Sequence, residues 1–418
     1  MRKFAFLTAC LLFVLCTGCA DETVIKTNQE QTEISLSWWG NDGRNEYTIE
    51  AVEKFQELHP EIKVNCSYSE WSGYEARSRV QMVADTEADV MQVNFSWLSQ
   101  YSEDGTGYYD LRKLTDTLNL DTFTEDTLQY GYKNKILNAV PIAMNTQTVY
   151  INQTIYEKYG LSVPETWDDY FKSAKVMSKD GIYPLSGASR SVWIAIIGYT
   201  EQVVNKKFLT DEGKLNFTAE ELQIPIEFYC RLVNENVIPQ VEYFDRLEIN
   251  NGGYAGFFAW VSDAANYSNT AIENGYNVIV GDYPHISGKE SGSGWYAKPA
   301  TMYAVSKNTE HPKESAMLLD FLLNSPEMAV LQGIEKGIPI STSARETLIE
   351  NDMLSGIQYE AFQRMEAHNN LGILNPFLEN ADAVDFYVEA CNEVLYSKAT
   401  LEEASQTFYE KLLTLREE

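Results

Sequence analysis

The chain has 418 residues, of which 61 are acidic and 32 basic, for a net charge of −29 at neutral pH. Such an excess of acid excludes nucleic acid and anionic lipid surfaces as partners, since both demand a basic footprint. The length exceeds what one hydrophobic core usually holds and predicts two domains, and no repeat of solenoid period is visible.

Arg2 and Lys3 precede an apolar run from Phe4 to Leu15 that is too short to span a membrane as a mature helix, so residues 1–18 read as a secretory leader. Thr17-Gly18-Cys19 resembles a bacterial lipobox, which would place a lipid on Cys19. Cys16 stands where that motif usually carries leucine, and a plain secretory cleavage is the alternative. Loss of the leader removes two cations and takes the net charge to −31. Residues 19–33 are a polar, acidic tether, and the body beyond them is expected outside the cell. Cys66, Cys230 and Cys391 remain of six cysteines: an odd number without a repeated spacing, read as free thiols with one pair left open.

Ile34, Leu36 and Trp38 alternate with Ser35 and Ser37 as a strand with Trp38 in the core. Trp39-Gly40-Asn41-Asp42-Gly43-Arg44 follows as a loop in which the glycines permit a tight or positive-φ turn. An amphipathic helix then carries Tyr47, Ala51, Val52, Phe55 and Leu58. Strand, polar-aromatic loop and helix make the first unit of an open α/β sheet, whose ligands bind beyond the carboxyl ends of the strands. The pattern recurs twice. Ile62 to Tyr68 runs into Glu70-Trp71-Ser72-Gly73-Tyr74 and a helix from about Tyr74 to Ala84, and Asp89 to Val93 runs into Asn94-Phe95-Ser96-Trp97-Leu98. Asn138 to Ala143 and Met144 to Asn152 read as two further extended stretches. Thr166 caps a helix that begins at Trp167, which is therefore structural. Helical periodicity covers Glu220 to Glu235, and a glycine-flanked strand at 252–260 exits through Trp260-Val261-Ser262-Asp263. Tyr276 to Gly281 is a strand expected to return to the first domain. Lys289 to Gly294 is a Gly/Ser loop ending at Trp295. Helices open at Pro312 and Pro326, and a Thr400/Glu403 capping box starts the last.

Several segments together resemble the family 1 extracellular solute-binding proteins, the carbohydrate-binding, maltose-binding-protein-like lipoproteins of bacterial ABC importers. They are SLSWWGNDGRNEYTIEAVEKFQELHPEIKV, ADVMQVNFSWL, AVPIAMNTQTVYINQTIYEKYGLSVPETWDDY and KPATMYAVSKNTEHPKESAMLLDFLLNSPE. The resemblance implies an α/β, two-lobed periplasmic-binding-protein-like fold with a hinge of crossing segments and an interlobe cleft that closes on its ligand. Lobe 1 would comprise residues 34–143 and 277–330, and lobe 2 residues 144–276 and 331–418, with a hinge near Ala143 to Thr146 and two later crossings. It also implies delivery of the ligand to ABC permease subunits, a monomer held to the outer face of the cell membrane by its lipid, and the Trp260 exit at the cleft. A Gram-positive envelope fits the lipobox-like start.

Catalytic hardware is sparse. His59, His285, His311 and His368 are scattered, and no HExxH, P-loop, GxSxG or CxxC motif is present. Neither cofactor nor metal is expected. A glycosidase needs only two placed carboxylates, so that alternative stays open beside a receptor for a non-sugar solute and a sensor subunit. Indoles offer flat apolar faces to sugar rings, and polar side chains offer fixed partners to hydroxyls. The candidate stacking residues are Trp39, Trp71, Trp97, Trp193, Trp260 and Trp295. Asn41, Asp42, Arg44, Glu70, Asn94, Asn145 and Asp263 are the candidates to bind hydroxyls, although Arg44 could instead pair with Asp42 or Glu46. Many indoles without a basic pocket favour a neutral sugar, and several adjacent rings favour an oligosaccharide.

Overall fold

The computed structural model describes residues 31–210, 213–368 and 370–417. The leader and Cys19 lie outside the described residues. The chain opens with β1 (Thr32–Trp39), α1 (Asp42–Leu58), β2 (Ile62–Ser69), α2 (Trp71–Ala84), β3 (Val90–Val93) and α3 (Phe95–Tyr101). β1 lies between β2 and β3, parallel to both, in registers that run from Thr32 opposite Ile62 to Trp39 opposite Ser69 and from Leu36 opposite Val90. Ile34, Leu36 and Trp38 are buried as the alternation predicts. Neither glycine of the first loop takes a left-handed φ. Gly40 serves close approach instead, because a Cβ there would stand 2.6 Å from the Cβ of Arg44, and Gly43 lies inside α1.

Residues 139–152 are one strand rather than two. This strand, β4 (Ala139–Asn152), is buried along its whole length. Strands covered on both faces lose the alternation that marks their limits. Its first half pairs antiparallel with β7 (Tyr296–Val305), and its second half with β5 (Gly256–Trp260) and β6 (Val278–Val280). β7 pairs in turn with β3 and with the short β8 (Gly372–Ile373). The sheet order is β2-β1-β3-β7-β4-β5, so β4 passes from one sheet region to the other. Its register shifts on both sides of Ala143, where Pro141 and a bulge bend the strand. The Ile142 carbonyl there accepts from the Ile340 amide at 3.1 Å, and Ala143 bridges to Pro339.

Beside two small hydrophobic clusters, one of which holds Tyr74 and Trp97, two large ones contain most of the core of the described residues. One packs β1 and α1 against the helix Pro312–Asn324 and extends along β5 and β6; the other joins the helices Ser189–Val204, Gln223–Asn234, Ala381–Leu395 and Leu401–Glu417. Two placements differ from the sequence expectation. β6 pairs with Tyr150–Asn152 at the far end of β4 and packs in the first cluster through Val278 and Val280, whereas Tyr283 and Trp295 pack in the second. Ile338, Ile340, Ile357 and Phe362 join the first cluster, because the 338–340 segment is pinned to the bulge of β4. Cys230 and Cys391 are buried, Cys66 is exposed, and all three are free.

Candidate functional site

The loops after β1, β2 and β3 leave the same edge of a parallel array, and each begins a helix. Asn41 caps α1 by accepting from the Arg44 amide at 2.9 Å, and Asn94 caps α3 by accepting from the amide and hydroxyl of Ser96 at 3.0 and 2.9 Å. Both side-chain carbonyls are therefore spent on helix starts, and what each asparagine can still offer is its NH2 group. Glu70 precedes α2 without a side-chain cap, and it and Asp42 are exposed.

Three tryptophans from the three loops form one cluster. Trp39 meets Trp71 edge-on with centroids 5.0 Å apart, and Trp71 stacks on Trp97 at 5.9 Å. Tyr74, part of the second aromatic-polar loop but not among the candidate site residues, stacks on Trp97 at 5.9 Å with only 9° between planes, and its hydroxyl donates to the Gln92 backbone carbonyl at 2.7 Å. Its signal was the helical spacing from Trp71. Exposure divides the labour. Trp71 is 37% exposed, Trp39 half-buried and Trp97 2% exposed. Trp71 and Trp39 present faces, while Trp97 and Tyr74 stiffen them from below.

The register locates the second half of the site. β3 ends at Val93 opposite Met302, and continuing in that direction along β7 reaches Thr301 and Lys298, which face Ala143 and Asn145 of β4. Two residues on, Gln147 pairs with Trp260. The Asn145 amide donates to the Ser262 hydroxyl at 2.9 Å and its carbonyl accepts from the Ser262 amide at 3.2 Å, which fixes the exit of β5. Trp260 is half-buried, with the Lys298 ammonium 4.8 Å from its ring centroid; Lys298 pairs with Glu379 at 2.5 Å. Asp263 is half-buried, and burial raises its carboxyl pKa while Arg246 opposes the shift.

Trp193 and Trp295 are not brought to this place. Trp193 is fully buried in the second cluster, 4.7 Å from Tyr387 between centroids, and its Nε1 donates to the Leu378 carbonyl at 3.1 Å. Trp295 is 1% exposed against Tyr283 and Phe258, with Nε1 donating to the Pro284 carbonyl at 3.2 Å. Neither has a free face for a ligand. Arg44 pairs with neither Asp42 nor Glu46; its Nη2 donates to the Glu335 carbonyl at 2.7 Å.

That contact brings in residues the sequence reading missed. Lys336, next to Glu335, is buried with its Nζ donating to the Tyr303 hydroxyl at 2.9 Å and lying 5.8 Å from the Tyr47 ring centroid. Burial and then the Arg44 charge lower its pKa to about 7.

Residues 41–329 match the family model described as bacterial extracellular solute-binding protein. The chain belongs to that family. The binding protein is 24% identical over 216 residues to the melibiose/raffinose/stachyose-binding protein MelE of Bacillus subtilis, covering 50% of this chain and 49% of that one. It thus spans about half the length of that curated relative. Among solved structures it is similar to a periplasmic oligogalacturonide-binding protein from Yersinia enterocolitica, at 30% identity and a TM-score of 0.82 over 92% of this chain and 99% of that one. A de novo designed cysteine esterase is also similar, at 28% identity and a TM-score of 0.87 over 93% and 99%. These neighbours place the binding protein in the two-lobed α/β architecture of its family. No helix among its described residues is long and apolar enough to cross a membrane.

Proposed function

We propose that this protein captures an oligosaccharide outside the cell and delivers it to an ABC permease. The observation that carries the reading is the indole platform of exposed Trp71 and half-buried Trp39 at three adjacent strand ends, with Trp260 paired to Gln147 two residues beyond the Asn145–Lys298 pair of β4 and β7. Trp71, Trp39 and Trp260 would stack on sugar rings. Asn41, Asp42, Glu70, Asn94, Asn145 and Asp263 would bind hydroxyls. Closure would bend β4 at its bulge, with the division into lobes falling along that strand. The named ligands of MelE and of the Yersinia protein are both oligosaccharides, which supports the substrate class. Lipid attachment at Cys19 would hold the monomer at the membrane, and catalysis is not part of the reading.

The test is a thermal-shift screen of mono-, di- and oligosaccharides, with amino acids and peptides as controls. A ligand at a hundred times its dissociation constant adds about 2.7 kcal/mol of stability. A sugar that stabilises and is recovered intact supports capture. Cleavage of the sugar would make the carboxylates catalytic, and stabilisation by peptides alone would leave the fold and remove the substrate.

A further inference from the structure

We infer, building on the reading of a sugar receptor, that the carbohydrate is acidic and that a uronic-acid carboxylate seats between Arg44 and Lys336. Lys336 is 4% exposed and makes its one hydrogen bond to a hydroxyl, that of Tyr303. No carboxylate of the described residues is within ion-pairing distance of its ammonium. Arg44 beside it spends Nη2 on a backbone carbonyl, and its Nε is buried without a partner. The Tyr47 hydroxyl is also buried and unpartnered. Gln92 is 1% exposed with both amide atoms unpartnered, and stands opposite Tyr303 in the β3–β7 register, on the same face of the sheet.

Two adjacent cations without an anion are unfavourable, and a buried ammonium without a counter-charge is more so. In a chain with nearly twice as many acids as bases, pairing both would have been easy. A carboxylate supplies what the arrangement lacks. Its two oxygens can accept from Lys336 Nζ, Arg44 Nε and the Tyr47 hydroxyl, while Gln92 meets a neighbouring hydroxyl. A neutral sugar offers no charge to offset the pair. The position fits the same ligand, because Arg44 lies in the first turn of α1, five residues after Trp39 at the end of β1. The neutral sugar expected from sequence rested on the absence of clustered cations, and the fold brings two together from the start of α1 and a segment near position 336.

The experiment titrates the full chain with trigalacturonate, an oligoalginate and a glucuronate-bearing xylo-oligosaccharide. Each is compared with its methyl ester, and neutral oligosaccharides and inorganic phosphate complete the panel. At least one acid should bind, and esterification should weaken it roughly thirty-fold or more. Lys336→Met and Arg44→Gln should erase that preference. Lys336→Met should also raise the melting temperature without ligand, which separates lost binding from lost folding. Calorimetry at pH 8 in two buffers of different ionisation enthalpy should show a proton taken up on binding, absent in Lys336→Met. The charged and titratable groups around the amine are Arg44, Tyr47 and Tyr303, the exposed Glu335 carboxylate acts on the Tyr47 hydroxyl, and burial holds both tyrosines protonated at that pH. Esters that bind as well as acids, or neutral sugars that bind while acids do not, overturn the inference and leave the sugar receptor standing. Phosphate bound at Lys336 with no sugar bound makes the pocket an inorganic-anion site and overturns the uronate. If no carbohydrate of either panel binds, the receptor reading falls and takes the inference with it.

Discussion

Trp71 and Trp193 are the same residue type in opposite circumstances, and their substitution separates binding from folding. Trp71→Ala removes an exposed ring and should cost the sugar about 2 kcal/mol of binding, some thirty-fold in Kd, with little change in melting temperature. Trp193→Ala empties a packed site between Tyr387, Phe208 and Phe408 and should cost about 3–5 kcal/mol of stability. Calorimetric titration and denaturant unfolding of both variants check the contrast. Lys336 gives a second prediction at this scale. Its folded pKa, about 7, lies below the 10.5 of the free side chain, so between those values the unfolded chain holds more protons. Stability of the unliganded protein should therefore rise with pH through that window, by on the order of 5 kcal/mol from this group. Unfolding curves of Lys336→Met against the parent should differ by that slope. Sequence reading singled out the indoles that prove partly exposed, Trp39, Trp71 and Trp260, but could not separate them from Trp193, since an isolated aromatic does not reveal which face of its helix is covered. It missed Lys336 altogether, because the contact between Arg44 and Glu335 spans 291 positions and leaves no local trace.

At the scale of elements, the decisive piece is the bulged strand β4. The three strand–loop–helix units were legible because each keeps alternation, a polar break and helical periodicity in order. The unity of β4 was not, since burial on both faces and Pro141 erase the pattern that would have joined its halves. Gly337 is fitted to the bulge. It has φ +99°, and a Cβ there would lie 2.9 Å from that of Ala143. Gly337→Val should cost about 1–3 kcal/mol through backbone strain and weaken ligand binding by displacing Lys336. Unfolding and titration of this variant test both effects.

For the whole molecule, a ligand that touches Trp71 on one side and Trp260 on the other should draw the two halves together. Small-angle scattering should show a smaller radius of gyration with sugar present. Trp260→Ala should reduce that contraction more than it reduces initial contact with the Trp71 platform, seen as residual indole fluorescence change. The overall fold was legible from alternating strand and helix patterns and from segments resembling one family. The partition of the chain was not, because the segments 283–296 and 338–365 pack according to which end of β4 they meet, a three-dimensional fact.

The pairing of β3 with β7 also sets a clock. Val90 stands opposite Val305, so the first sheet cannot close until some 215 further residues have been made. At 5–20 residues per second that is roughly 10–40 s, during which β3 has no partner on that side. Contacts so distant in sequence form slowly even afterwards. A nascent chain with this wiring stays loose long enough to be threaded across a membrane, and in return it carries an unpaired apolar strand that has to be kept from its neighbours until Val305 arrives.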